Sequence, residues 1–205
     1  MRAVVRRLRH RPGLVAGGLL VLACVVGYTA YSMNQQLAVD PATCKPLLDV
    51  IARAESKGNY NAYFGNAGNR TTKFTEMSVG AVMGWQAAFI ADGKPSSAVG
   101  RYQIISTTLS GLVQDLNIDT EQLFDEVMQD RMAMALLERR GVKAYANKHI
   151  DARAFAAELA KEWAGLPKVL GDNPEQSYYA GDGLNSALVA SDEVLRAIGK
   201  IETMQ

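Results

Sequence analysis

The sequence predicts an α+β, mainly α-helical domain preceded by one N-terminal transmembrane helix. Three observations predict it. Apolar residues recur at helical spacing, between capping and stopping residues, over most of residues 45–200. Strand signals are few, and the Gly- and Asn-rich stretch 59–75 reads as turns with a small β-hairpin region. Leu14 to Met33 is almost wholly apolar and carries no charge, which is the ~20 residues a bilayer needs at ~1.5 Å each.

Arg2, Arg6, Arg7, Arg9 and Arg11 precede that segment, and no acid occurs before Asp40. This flank predicts a cytoplasmic basic tail over 1–11, a signal anchor over 12–33 and the remainder outside the membrane. Two other fates stay open. Val21-Leu22-Ala23-Cys24 approximates a lipidation signal, with Leu22 a poor fit, and cleavage after Ala30 would place bulky Tyr28 where a small residue is wanted. Residues 34–44 are polar and interrupted by Pro41, and read as a tether to a domain over 45–205.

The 205 residues are ample for a core, and the composition is that of a globular protein. The net charge of +1 hides an asymmetry, because five of the 22 basic residues and none of the 21 acidic ones lie within 2–11. The rest is net negative and offers no basic face for nucleic acid. Cys24 and Cys44 leave the domain without an internal disulfide pair, and could join only if Cys24 left the membrane. His10 and His149 are isolated, so no metal site and no cofactor are expected.

Pro46 suits a first helical position, and Gly58 and Asn59 supply a stop. On the helix between them, Leu47, Leu48, Ile51 and Glu55 share a face. Glu55 therefore sits on the side to be buried, in the last turn, where the helix dipole disfavours negative charge. Both effects raise a carboxyl pKa, as a general acid requires. The competing reading is a solvated C-terminal glutamate.

Ser78 caps a helix over Val79–Ala91, with Val82, Met83, Trp85 and Phe89 as its apolar side, before the turn Asp92-Gly93-Lys94-Pro95. Gly100-Arg101-Tyr102-Gln103 leads into a helix from Ser106 or Thr107 that carries Leu109, Leu112, Val113 and Leu116. The plain alternative for this stretch is a strand edge with Tyr102 packed inside. Asp119-Thr120-Glu121-Gln122 looks like a capping box for a helix through Leu123, Phe124, Val127, Met128, Met132, Ala135 and Leu136, ending at Gly141. Asp151 caps a helix through Phe155, Leu159 and Trp163. Residues 171–185 form a long loop with Tyr178 and Tyr179, and Ser191 caps a last helix through Leu195 and Ile198.

Glu55-Ser56 closing a first helix, followed by Gly100-Arg101-Tyr102-Gln103-Ile104, resembles the lambda-type phage endolysins and related lytic transglycosylases of the lysozyme superfamily. The resemblance continues, in order, through Gln129-Asp130-Arg131, Glu138-Arg139-Arg140-Gly141, Trp163-Ala164-Gly165-Leu166-Pro167 and Ser177-Tyr178-Tyr179-Ala180-Gly181-Asp182-Gly183. It implies a lysozyme-like domain that binds peptidoglycan glycan strands; a monomer is the separate expectation. Glu55 would protonate the oxygen between N-acetylmuramic acid and N-acetylglucosamine. It would then deprotonate the muramic C6 hydroxyl, giving a 1,6-anhydro product.

The resemblance makes Gly100, Tyr102 and Gln103 lining of the saccharide cleft, with Ser56 and Gln103 orienting the glutamate or an acetamido group. Tyr102 would stack on a sugar. Tyr178 and Tyr179, on their long loop, would either flank the cleft or simply pack the loop. A two-carboxylate hydrolase would need a second acid, and only Glu76 and Asp92 lie near in sequence. Three alternatives remain: a lysozyme-type hydrolase, a wall-remodelling factor of a secretion or conjugation system, and a non-catalytic membrane-tethered peptidoglycan-binding protein. The weak anchor also resembles that of signal-arrest-release endolysins, which wait at the inner membrane and are freed into the periplasm on depolarisation.

Overall fold

The computed structural model describes residues 38–203, and the reading of 12–33 as an anchor lies outside them. Among the described residues no helix is long and apolar enough to cross a membrane. Seven α-helices and one 3₁₀ turn account for the regular structure there: α1 Pro41–Ser56, the 3₁₀ turn Phe74–Glu76, α2 Val79–Ala91, α3 Ser106–Asp115, α4 Glu126–Arg139, α5 Val142–Ala146, α6 Ala152–Ala160 and α7 Ser191–Ile198.

Helix α1 is the axis of the core. It starts five residues before Pro46, because Asp40 Oδ1 accepts the Ala42 amide at 2.9 Å and Pro41 occupies the first turn. Residues 41–44 are thus helix rather than tether. Pro46 lies inside the helix at the loss of one backbone bond. Cys44, Leu47 and Ile51 are fully buried, and each such aliphatic side chain contributes roughly 1.5–3 kcal/mol. The helix ends at Lys57, which adopts a left-handed φ of 56° and returns its amide to Arg53 and Ala52 carbonyls.

Helix α7 packs along α1, and an Arg53–Glu193 ion pair bridges them. The two ends of the domain meet beside them, where the Asp40 amide donates to the Glu202 carbonyl at 3.0 Å. Burial raises the Cys44 thiol to about 11, with the Asp40 charge adding to it. Cys44 is therefore a buried core thiol with little thiolate character, and Cys24 lies outside the described residues.

Ser78 caps α2 through the Ala81 amide, and Asp151 caps α6 through the Ala154 amide, as their sequences predict. Two predicted features differ. The region 59–75 holds isolated bridges rather than a hairpin, among them Tyr63↔Asn66 and Tyr63↔Val99. Side-chain amides replace the ladder there: Asn59 donates to Ala67 and Asn69 carbonyls, and buried Asn69 donates to Asn61 and Thr72 carbonyls.

Residues 119–124 are also not a helix start. The Gln122 amide closes a turn on the Asp119 carbonyl; the Val79 amide then donates to the Gln122 carbonyl and the Phe124 amide to the Met77 carbonyl, which holds residues 122–124 beside residues 77–79. Asp125 is the actual cap of α4, accepting the Met128 amide at 2.8 Å. Val127 is left 77% exposed in consequence, while Met128 and Met132 enter the core. Helix α7 is likewise entered from Ala190; Ser191 donates its amide to the Glu175 carboxylate instead of capping.

Candidate active site

Glu55 leaves the last turn of α1 half-buried and faces a cleft of about 580 Å³. One wall is the segment 62–65 tied to residues 98–103: the Phe64 amide donates to the Ala98 carbonyl at 2.9 Å and the Gly100 amide to the Ala62 carbonyl at 2.8 Å. The other wall is the turn after α6, residues 162–165, with Tyr179 and Leu184–Leu188 from the long loop. The Leu188 amide donates to the Gly165 carbonyl at 2.8 Å and joins the two parts of that wall.

The Glu55 carboxylate accepts the Gly165 amide on Oε1 at 2.8 Å. Burial pushes its carboxyl up from 4.5 to about 7, and the Gly165 hydrogen bond pulls the other way. Desolvation wins because one donor does not replace the hydration of a charge. Gly165 is also needed for its size. A Cβ there would stand 3.0 Å from Glu55 Oε1 and 3.1 Å from the Ala54 Cβ. The sequence shows Gly165 only as part of a Trp-x-Gly-x-Pro turn; the small residue in a buried turn was the available signal, and its partner was not.

The predicted site residues separate into two groups. Glu55, Gln103 and Tyr179 line the cleft together. Gln103 holds a left-handed φ of 48° and donates its side-chain amide to the Gly100 carbonyl at 2.9 Å. Tyr179 donates its hydroxyl to the Lys161 carbonyl at 2.7 Å, so its ring is fixed at the rim.

The others stand elsewhere. Ser56 is fully buried, with its hydroxyl 2.7 Å from the Arg101 carbonyl; it ties α1 to the 100–103 turn and touches no ligand space. Tyr102 points into the protein, not at a sugar: it is buried and donates to Asp130 Oδ1 at 2.7 Å, which Tyr60 also approaches at 3.0 Å. The half-buried Asp130 carboxylate thus holds the hydroxyls of both Tyr102 and Tyr60. Gly100 is buried behind the cleft at φ 77°, where a Cβ would collide with Gln129 Oε1. Tyr178 is 53% exposed and packs edge-on against Tyr179, outside the cleft lining.

Neither Glu76 nor Asp92 lines the cleft. The second acid there is Glu162, whose Oε2 accepts Arg140 Nε at 2.8 Å. Trp163, Ile105, Leu184 and Leu188 give the cleft apolar surface beside these polar groups, the mixture that suits the faces and hydroxyls of a saccharide.

A family model described as Endolysin matches residues 45–189. No curated protein and no solved structure matches the chain. The matched span contains the Glu55 helix, the Gly100–Gln103 turn and the Gly165 wall, and the chain belongs to the endolysin family, phage enzymes that degrade cell-wall peptidoglycan.

Proposed function

We propose that the chain cleaves the bond between N-acetylmuramic acid and N-acetylglucosamine as a single-glutamate lytic transglycosylase, for host lysis. One observation carries this reading. Glu55 is a carboxyl that keeps its proton close to neutral pH on the wall of the cleft, and the other acid lining that cleft is ion-paired to Arg140. Protonated Glu55 donates to the departing glycosidic oxygen. As a carboxylate it then takes the proton of the muramic C6 hydroxyl, whose oxygen bonds to C1 and closes the 1,6-anhydro ring. The Gly165 amide holds Glu55 Oε1 in both protonation states and favours the charged one between the two transfers. Gln103, on the same cleft, is the amide donor and acceptor available to an acetamido group.

Mass spectrometry of the products tests the chemistry. Anhydro-muramic ends support the proposal; ends one water heavier overturn it in favour of hydrolysis, with Glu162 the acid to examine next.

Residues 12–33 act, in this reading, as a weak inner-membrane anchor that holds the enzyme with its catalytic domain in the periplasm until depolarisation. The arginine flank and the uncharged, Gly- and Ala-rich 14–33 segment support it. The soluble periplasmic fraction should rise when the membrane potential is collapsed; an unchanged fraction sinks this part.

A further inference from the structure

A second cavity, of about 250 Å³, opens beside the cleft. Gln103, Ile105, Glu162, Trp163 and Tyr179 line both spaces, so they share a wall. Its lining differs in charge from the rest of the domain. Arg139, Arg140 and Lys161 face it, and Glu162 is the one acid among its lining residues. Beyond residue 11 the chain as a whole is net negative, so three cations at one cavity run against the general balance.

Each of these cations has an acidic partner, but the partners differ in kind. Arg140 is bound to the largely buried Glu162 and belongs to the wall. Arg139 pairs with Asp115 at 3.3 Å, and Lys161 pairs with Glu158; all four of those side chains are well exposed. Exposed pairs are worth only ~0–1 kcal/mol, so an incoming carboxylate can replace Asp115 or Glu158 at little cost. Neither Asp115 nor Glu158 lines the cavity. Arg139 and Lys161 therefore stand at the cavity with partners outside its lining that an incoming anion can displace.

We propose that this side cavity receives the carboxylate-bearing peptide branch of the muramic residue, and that Arg139 and Lys161 make the enzyme prefer glycan strands that still carry their peptides. The proposal rests on the reading that the strand lies along the Glu55 cleft. The cavity is less than half the volume of the cleft, which suits a side branch rather than a further sugar. Tyr179 and Lys161 meet at the junction: the Tyr179 hydroxyl donates to the Lys161 carbonyl, and the Lys161 ammonium pairs with Glu158.

The test compares two substrates, peptide-bearing peptidoglycan and the same strands after an amidase has removed the peptides. The full chain and its Arg139→Gln/Lys161→Gln variant are assayed on both, by chromatography of released fragments. The expected result is a loss of about tenfold in kcat/KM on the peptide-bearing substrate, mainly through KM, equivalent to ~1.4 kcal/mol. The loss on stripped strands should stay below about twofold. Equal losses on both substrates, or no loss on either, overturn the proposal. Salt provides a second reading that needs no variant: KM of the unaltered chain should rise with ionic strength on the peptide-bearing substrate and stay flat on stripped strands. An unaltered chain that cuts neither substrate overturns the Glu55 reading itself, which separates that failure from this one.

Discussion

The Gly165 amide meets Glu55 Oε1 at 2.8 Å although the two residues stand 110 positions apart. Around that bond burial raises the carboxyl to about 7 while the amide opposes the rise. The site thus holds a proton weakly enough to give it up and firmly enough to have it at neutral pH. This contact also explains why the turn after α6 is shaped as it is: any side chain at 165 would occupy the space of the acid.

Replacing Glu55 by Gln keeps the shape and the acceptor for Gly165 but removes the titrating proton. Wall-clearing activity of the variant should fall to background with the fold intact, as circular dichroism would show. Residual activity above about one per cent of the unaltered enzyme would mean that another group supplies the proton.

The same substitution should stabilise the domain at alkaline pH. Unfolded Glu55 ionises near 4.5 and folded Glu55 near 7. The folded state binds the proton more tightly, so stability is greatest below the unfolded value and is lost as pH rises through the folded one. The difference amounts to ~3 kcal/mol at full ionisation. Thermal melts should therefore put Glu55→Gln above the unaltered chain at pH 8 and level with it at pH 4; the reverse ordering contradicts a buried carboxyl.

Activity should follow the same group. With Glu55 as general acid, kcat/KM falls about tenfold per pH unit above roughly pH 7. A profile whose alkaline limb begins near pH 4.5 would show an ordinary solvated glutamate instead.

Gly165→Ala inserts a methyl 3.0 Å from Glu55 Oε1. Displacing a catalytic group by a fraction of an ångström to 1 Å costs about 10–100-fold in rate. Pushing the carboxylate off the residue-165 amide weakens the one contribution that lowers the Glu55 pKa. The variant should thus be slower, with its alkaline limb moved to higher pH. An unchanged limb in a slowed enzyme would locate the damage elsewhere.

Gln129→Leu tests the support behind Gln103. Gln129 is fully buried, accepts the Arg101 amide at 2.8 Å and donates to the Tyr60 and Phe124 carbonyls. Leaving these backbone groups unpaired costs ~1–3 kcal/mol each at most, and the Gly100–Gln103 turn loses its anchor. Denaturant melts should show a destabilisation of about 2–4 kcal/mol, with KM for the glycan raised. Unaltered stability would refute the assigned role.

Much of the helical scaffold is legible in the chain itself. Ser78 and Asp151 mark helix starts because a short polar side chain before an apolar period has one efficient use, to satisfy orphan amides. Leu47 and Ile51 share a face with Glu55, and the periodicity alone says that the acid turns toward the interior. What only packing decided are the partners. Asp119–Gln122 satisfies a capping pattern, yet residues 77–79 capture the neighbouring backbone first. Tyr102 reads equally well as a sugar platform or a core ring until Asp130 is seen to hold its hydroxyl. Local order depends on neighbours within a turn or two, which the sequence contains. The acid's proton depends on a glycine amide, a cleft wall and an absence of water, and these exist only once distant segments have closed around it.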